Sequence, residues 1–274
     1  MSQTHKATIE RFPDGERAED LVAVEEPLQI HVNGKALAVL MRTPGLDRPL
    51  TAGFLLSEGV IDGPDDLSGI ELCANPDRED RHNLIFVELA PGCDPPDESL
   101  ARSSYASTSC GVCGKTSIDN LLERCYAHPA FSLIPELLIR TAGERALEHQ
   151  QCFKTTGGIH AAALFDLTSD TLVAFAEDVG RHNAVDKVLG NRLLADRLPL
   201  GGHVLWVSGR TSFEVVQKAL SAGVPGLISV GAPTSLAVEL AQSCRMSLVG
   251  FARGRERYNI YAGPGIPDEV DRAE

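Results

Sequence analysis

Cys110 and Cys113 stand two residues apart in the run 103–115, SSYASTSCGVCGK, which is rich in small and hydroxylated residues and has no apolar period. Such a run reads as a loop. Gly111 and Gly114 leave space around the thiols for the backbone of another protein to approach, and Lys115 sets a positive charge beside them. Residues 117–126 read as a helix with Thr116 or Ser117 as N-cap, so its positive dipole end points back at the pair. Cation and dipole both favour the thiolate, the nucleophilic form of cysteine. Three other readings compete with reactive sulfur. Half of a structural zinc site lacks a second CxxC or HxxxH partner. A thioredoxin-like redox pair would follow a buried strand directly, whereas a Pro- and Ser-rich stretch precedes this one. An inert buried pair fits poorly with such polar surroundings.

A second set of residues suits anions. Ser208-Gly209-Arg210-Thr211-Ser212 and Gly231-Ala232-Pro233-Thr234-Ser235 each join an apolar strand to a helix, and each supplies small residues, hydroxyls and helix-start N–H groups. Neither is a P-loop or a GxGxxG fingerprint. Arg210 turns the first towards phosphate, because a planar guanidinium binds phosphate bidentately; plain helix capping is the competing reading. A third junction, 177–187 (EDVGRHNAVDK), gathers Asp178, Arg181 and His182 at a pocket edge, with His182 and Asp186 on one helical face. His160, at the end of the Gly-rich turn 153–160, reads as a satisfied structural histidine.

The segment Phe251-Ala252-Arg253-Gly254-Arg255-Glu256-Arg257-Tyr258 alternates arginines, which would share one face of an extended backbone. Phe251 and Tyr258 offer aromatic faces to a purine, and Glu256 could accept hydrogen bonds from the N1–H and exocyclic amine of guanine. The plainer reading is a solvated hairpin.

The elements that must hold these residues follow from pattern. Residues 20–26 alternate like an edge strand. Residues 29–32 and 36–41 around Asn33-Gly34 form a hairpin with a type I′ turn. Residues 46–58 read as a helix ended by Gly59 and weakened by Gly53, and 70–74 and 84–89 as strands. The Pro-rich, acidic run 91–99 reads as a linker. The expected organisation is an α+β unit at 1–98, a flexible CxxC loop at 99–116, and an α/β domain at 117–274. In the last, strands at 161–165, 172–177, 203–207, 227–230 and 247–251 alternate with helices at 181–194, 212–222 and 235–244, after a helix at 135–148 started by Pro135. That alternation implies a mixed or parallel sheet covered on both faces, the third layer arising from helices on each side.

Composition bounds the function. The 274 residues carry 43% hydrophobic content and a formal charge of −13, which argues against general nucleic-acid or anionic-membrane binding and makes any cluster of arginines a local anion site. Seven cysteines, no signal-peptide pattern and no apolar run near the ~20 residues of a membrane span lead to the expectation of reduced thiols in the cytoplasm.

In order along the chain, SCGVCGK, TGGIHAAAL, EDVGRHNAVDKVLG, SGRTSFEVVQKAL, VGAPTSLAVELA and GFARGRERYNIY resemble the formate dehydrogenase accessory sulfurtransferase family, over residues 26–262. The resemblance implies a homodimeric cytoplasmic sulfur carrier. It would accept persulfide sulfur from a cysteine desulfurase and pass it to the bis-molybdopterin guanine dinucleotide molybdenum cofactor of formate dehydrogenase. It places the persulfide on Cys110 with Cys113 as partner, implicates the 251–256 stretch in holding the guanine nucleotide part of the cofactor, and implies a fold like that of cytidine deaminases. The H-x-E and P-C-x-x-C ligands of a zinc deaminase are missing here, so no metal is expected and deaminase chemistry is a poor alternative. A non-enzymatic cofactor-binding chaperone and a thiol redox protein are the better alternatives.

Overall fold

The computed structural model describes residues 2–93, 128 and 130–265. Cys110, Cys113, the expected helix at 117–126 and most of the expected linker lie outside the described residues.

Three sheets organise the chain. The first is an antiparallel ribbon of β1 (Thr4–Arg11) and β2 (Glu16–Ala23). The second has four strands in the order β4-β3-β6-β5, built from β3 (Glu26–Val32), β4 (Lys35–Arg42), β5 (Leu67–Leu72) and β6 (Leu84–Leu89). The β3–β4 hairpin turns through Asn33 at φ 47° and Gly34 at φ 79°, the two positive values that a type I′ turn requires. The third is a six-stranded mixed sheet in the order β12-β11-β10-β9-β7-β8. Its strands are β7 (His160–Asp166), β8 (Thr171–Asp178), β9 (His203–Val207), β10 (Gly226–Ser229), β11 (Ser247–Gly250) and β12 (Asn259–Ala262). Strands β9, β10 and β11 run parallel, and the outer strands pair antiparallel.

Strand alternation sends side chains to both faces of the large sheet. Ala161, Ala163, Phe165, Val204, Trp206, Ile228 and Val249 pack against α2 (Glu136–His149). Ala162, Leu164, Leu205, Val207, Leu227 and Leu248 pack on the opposite side against α4 (Arg181–Leu194), α5 (Phe213–Ser221) and α6 (Ser235–Ser243). Helix, sheet and helix thus form three layers.

Helix α1 (Asp47–Glu58) joins the two larger sheets. It is buried on nearly every side, with Leu50, Leu55 and Leu56 in the same core cluster as Leu28 and Ile30 of β3 and Val185 and Leu189 of α4. It ends at Gly59, φ 69°, where Gly59 N–H bonds the Leu56 carbonyl and Val60 N–H the Leu55 carbonyl, closing the helix in a Schellman motif. Gly53 does not merely weaken this helix. A Cβ on Gly53 would stand 2.0 Å from the Asp186 carbonyl oxygen, and one on Gly190 would stand 1.9 Å from the Pro49 carbonyl oxygen. The two glycines let α1 and α4 cross with their backbones in contact, and α4 carries Arg181 and His182.

Four elements differ from expectation. Strand β1 was not anticipated and β2 begins earlier than the expected strand at 20–26, because most ribbon residues are exposed on both faces and so leave no apolar period. The turn expected at 153–160 begins instead as the short helix α3 (Gln151–Thr156). Its first amides, Cys152 N and Phe153 N, donate to the buried carboxylate of Glu177 at 2.9 and 2.8 Å, a cap supplied from a distant strand. Strand β12, also not anticipated, pairs antiparallel with β11 as an edge strand, so residues 251–258 connect the two strands of a hairpin.

Candidate functional site

The C-terminal ends of the parallel strands meet the starts of α4, α5 and α6. In open α/β sheets ligands bind at such ends. The junctions after β9 and β10 lie side by side. Gly231 N–H bonds the Gly209 carbonyl at 3.0 Å, Thr211 N–H the Ala232 carbonyl at 3.1 Å and Thr234 N–H the Thr211 carbonyl at 3.0 Å. A Cβ at Gly231 would come within 2.9 Å of the Arg210 backbone, so only glycine permits this approach.

Plain capping does not account for the hydroxyls here. Gly180, Ser212 and Thr234 occupy the N-cap positions of α4, α5 and α6, and none makes a side-chain cap hydrogen bond. Three helix starts at one sheet edge therefore lack side-chain caps, which is the electrostatic setting an anion uses. Ser208 serves the sheet instead: its N–H bonds the Ala161 carbonyl and its Oγ accepts Ala161 N–H at 2.9 Å. Thr211 Oγ1 is fully buried with no hydrogen-bond partner among the described residues.

Arg181 and Arg210 make no ion pair with any carboxylate of the described residues, unlike Arg140, Arg145 and Arg255 elsewhere on the same domain. Gly209 lies against this group, since a Cβ there would meet His160 Nδ1 at 3.4 Å and Arg181 Cδ at 3.9 Å. His182 Nε2 stands 3.2 Å from Ser212 Oγ and 3.0 Å from Glu214 Oε2. Because serine and carboxylate approach the same nitrogen, the trio cannot relay a proton as a Ser-His-acid triad does through two nitrogens. Burial pushes His182 down to about 3, with Lys218, Arg181 and His160 adding to the effect, so the ring stays neutral at neutral pH despite Glu214 beside it. Burial, then Arg181, also lowers His160. His160 thus belongs to the cluster, a role its isolated position in the sequence did not signal.

His182 and Asp186 do share a face of α4, and both address α5. One turn below the Glu214 contact, Asp186 is paired with Lys218 at 2.8 Å and accepts a hydrogen bond from Ser57 Oγ at 3.2 Å. Burial pushes Asp186 up to about 6 against the pull of Lys218.

Two expectations change. Asp178 is fully buried and its carboxylate is already occupied: it pairs with Lys187 at 2.7 Å and accepts from Thr43 N, Gly180 N and Asn183 Nδ2. It shapes the turn below the site and does not face a ligand. The 251–258 segment is also not extended, because Phe251 takes φ 55° and Gly254 φ 89°. Phe251 N–H and Ala252 N–H bond the carbonyls of Gly231 and Ser229, each at 3.0 Å, which starts the segment beside the Arg210 junction. Arg253 Nε donates to the Val230 carbonyl at 3.0 Å and its guanidinium lies 5.8 Å from the Phe251 ring centroid. Arg255 leaves that face and pairs with Glu144 of α2 at 2.8 Å. Arg140 donates to the Arg255 carbonyl and stacks 5.3 Å from the Tyr258 ring centroid. Glu256 and Arg257 are exposed.

No group of three or more His, Cys, Asp or Glu suited to a metal ion occurs among the described residues. No helix among them is long and apolar enough to cross a membrane.

The FdhD/NarQ family model matches residues 23–266, which include every element of this site. The chain belongs to the FdhD/NarQ family. It is 48% identical over 271 residues to the sulfur carrier protein FdhD of Streptomyces avermitilis, covering 95% of this chain and 94% of that protein. It is 44% identical over 249 residues to the sulfur carrier protein FdhD of Mycobacterium tuberculosis, covering 88% and 90%. Among solved structures, one from Desulfotalea psychrophila, described as a formate dehydrogenase accessory protein, superposes with a TM-score of 0.73 at 27% identity, covering 96% of this chain and 97% of that one.

Proposed function

We propose that this FdhD/NarQ family chain is a sulfur carrier in the maturation of formate dehydrogenase. It takes persulfide sulfur from a cysteine desulfurase onto Cys110 and delivers it to the bis-molybdopterin guanine dinucleotide molybdenum cofactor, acting as a cytoplasmic homodimer. The family and its sulfur carrier relatives support the carrier role. The observation that carries the acceptor is the three helix starts without side-chain caps, with Arg181 and Arg210 beside them and without acidic partners among the described residues, in a chain of formal charge −13. The phosphates of a dinucleotide cofactor suit that edge, and Arg253 with the Phe251 ring beside it suits a base. The helix, sheet and helix layering fits the deaminase-like fold that the resemblance implies.

In the loading step the Cys110 thiolate attacks the outer sulfur of the donor persulfide. The donor S–S bond breaks, the donor cysteine leaves as thiolate, and a new S–S bond carries the sulfur on Cys110. Release as sulfide needs two electrons. The Cys113 thiolate attacking the inner sulfur supplies them and leaves a Cys110–Cys113 disulfide. Three of the described cysteines are worse candidates: burial raises the Cys152 thiol, Cys244 is buried, and the Cys93 thiol donates to the Asp66 carboxylate at 3.2 Å.

Mass spectrometry after incubation with a cysteine desulfurase and cysteine should find added sulfur on Cys110, removable by reductant and absent in Cys110→Ala. Sulfur on Cys73, Cys93, Cys125, Cys152 or Cys244 instead would overturn the reading. A cofactor chaperone or thiol redox protein predicts other results: the Cys110→Ala, Cys113→Ala double variant still activates formate dehydrogenase if the chain is a chaperone, and no sulfur is loaded if it is a redox protein. For the acceptor site, calorimetry should show GDP, a fragment of the cofactor, binding more tightly than ADP, with Arg253→Ala weakening it and leaving sulfur loading intact. Equal affinity for the two nucleotides would remove the guanine assignment.

A further inference from the structure

Thr43 lies in the turn between β4 and α1, far in sequence from the site, and is completely buried. All its polar atoms are engaged. Its N–H donates to Asp178 Oδ2 at 3.2 Å, and its carbonyl accepts from Lys187 Nζ at 2.8 Å. Its hydroxyl donates to the Val24 carbonyl at 2.9 Å and accepts Val179 N–H at 3.2 Å. Asp178 completes the clamp by holding Gly180 N–H at 2.8 Å and Asn183 Nδ2 at 3.0 Å through Oδ1. Asn183 Nδ2 also donates to the Met41 carbonyl at 2.8 Å, returning to the end of β4. The backbone held between these contacts, Val179 and Gly180, leads directly into Arg181 and His182.

A buried ion pair is weak evidence for stability, because apolar replacements of the same volume are often as stable. Such a pair can instead fix geometry, and here Thr43 and Asp178 each hold the backbone of one turn, at Val179 N–H and Gly180 N–H.

We infer that Thr43, acting with the Asp178–Lys187 pair, is a positioning residue: the β4–α1 turn of the four-stranded sheet sets where Arg181 and His182 stand at the anion site. The consequence for nucleotide rests on the proposed function; the placement of His182 does not. Loosening Thr43 should alter the site although Thr43 is shielded from any ligand. Shifts of about 1 Å in a supporting shell are enough to degrade a site.

Thr43→Val keeps the shape and removes the hydroxyl, whereas Thr43→Ser keeps the hydroxyl. Both are compared with the wild type well below their melting temperatures. The first reading is an NMR titration of the His182 ring, which responds to its burial and to Lys218, Arg181 and His160 beside it. The second is GDP affinity by calorimetry. Thr43→Val should move the His182 titration and weaken GDP about threefold to tenfold, the scale of one lost hydrogen bond, and Thr43→Ser should restore both. Asn183→Ala cuts the same clamp from its half-buried side and should give the same changes in a milder form. A folded Thr43→Val protein with the wild-type His182 titration and wild-type GDP affinity would overturn the inference. If the wild type binds no GDP, the nucleotide reading fails, and the His182 titration alone decides the positioning role.

Discussion

The β8–α4 turn and the 251–258 segment both bring arginines to the same end of the large sheet, but they are held in opposite ways. The first rests on a buried ion pair, Lys187 at 1% and Asp178 at 0% side-chain exposure, and on hydrogen bonds that reach 135 residues back to Thr43. The second is tied on its outer side by Arg255 and Glu144, at 69% and 50% exposure. Buried charges lose strongly when unpaired, whereas exposed pairs are screened by water and salt. The turn is therefore built in advance, and the segment can adjust to what it meets.

The sharpest way to break this contrast is at its buried side. Lys187→Met leaves Asp178 unpaired in the core, and denaturant unfolding should show a loss of about 3–5 kcal/mol. A loss below about 1 kcal/mol would mean that the turn is not locked by the pair. Next in size is the helix crossing that carries the turn. Gly190→Ala should cost about 1–3 kcal/mol, since the added Cβ meets the Pro49 carbonyl. At a free helical position the same change would stabilise, so the sign alone settles whether α1 and α4 are in backbone contact.

A smaller effect appears in the pH dependence. His182, held near 3 in the folded protein against an ordinary 6.5, contributes stability that is present above pH 6.5 and lost as pH falls towards 3. Asp186, raised to about 6 from 3.8, acts in the opposite sense, and its contribution grows as pH falls from 6 towards 3.8. The two slopes oppose each other between about pH 6 and 4 in the wild type. His182→Gln should remove the His182 slope and leave those of the other groups, so the variant's stability relative to wild type should rise as pH is lowered from 7 to 5. Parallel urea midpoints across that range would show that His182 is not held neutral. The smallest effect belongs to the compliant side. Arg255→Ala should leave the melting temperature at its wild-type value, and a drop comparable to that of the Gly190 variant would show the segment to be locked as well.

Much of this arrangement could be read before any fold was known, and the part that could not has a common cause. The I′ turn at Asn33-Gly34, the end of α1 at Gly59, the start of α4 at Arg181 and the three parallel strands follow from backbone preferences and apolar periods, which act between near neighbours. The two strand-to-helix junctions were also recognisable as such, with α5 and α6 starting from the N-cap positions Ser212 and Thr234. The role of Asp178 was not: an acid at a strand end reads as exposed, and only Thr43 and Lys187 decide that it is buried and occupied. The same holds for Glu177, which caps α3 from across the fold, and for Arg42, fully buried between Asp47 and Glu26.

The sequence by itself determined the three parallel strands, the helices between them and the residue types at the sheet edge, because those depend on local sterics and period. Tertiary structure decided which of those residues stand at the open sheet edge and which face the core. A buried polar group takes its direction from partners that chain separation hides, such as Thr43 against Asp178, and a glycine such as Gly190 shows its purpose only when another backbone arrives against it.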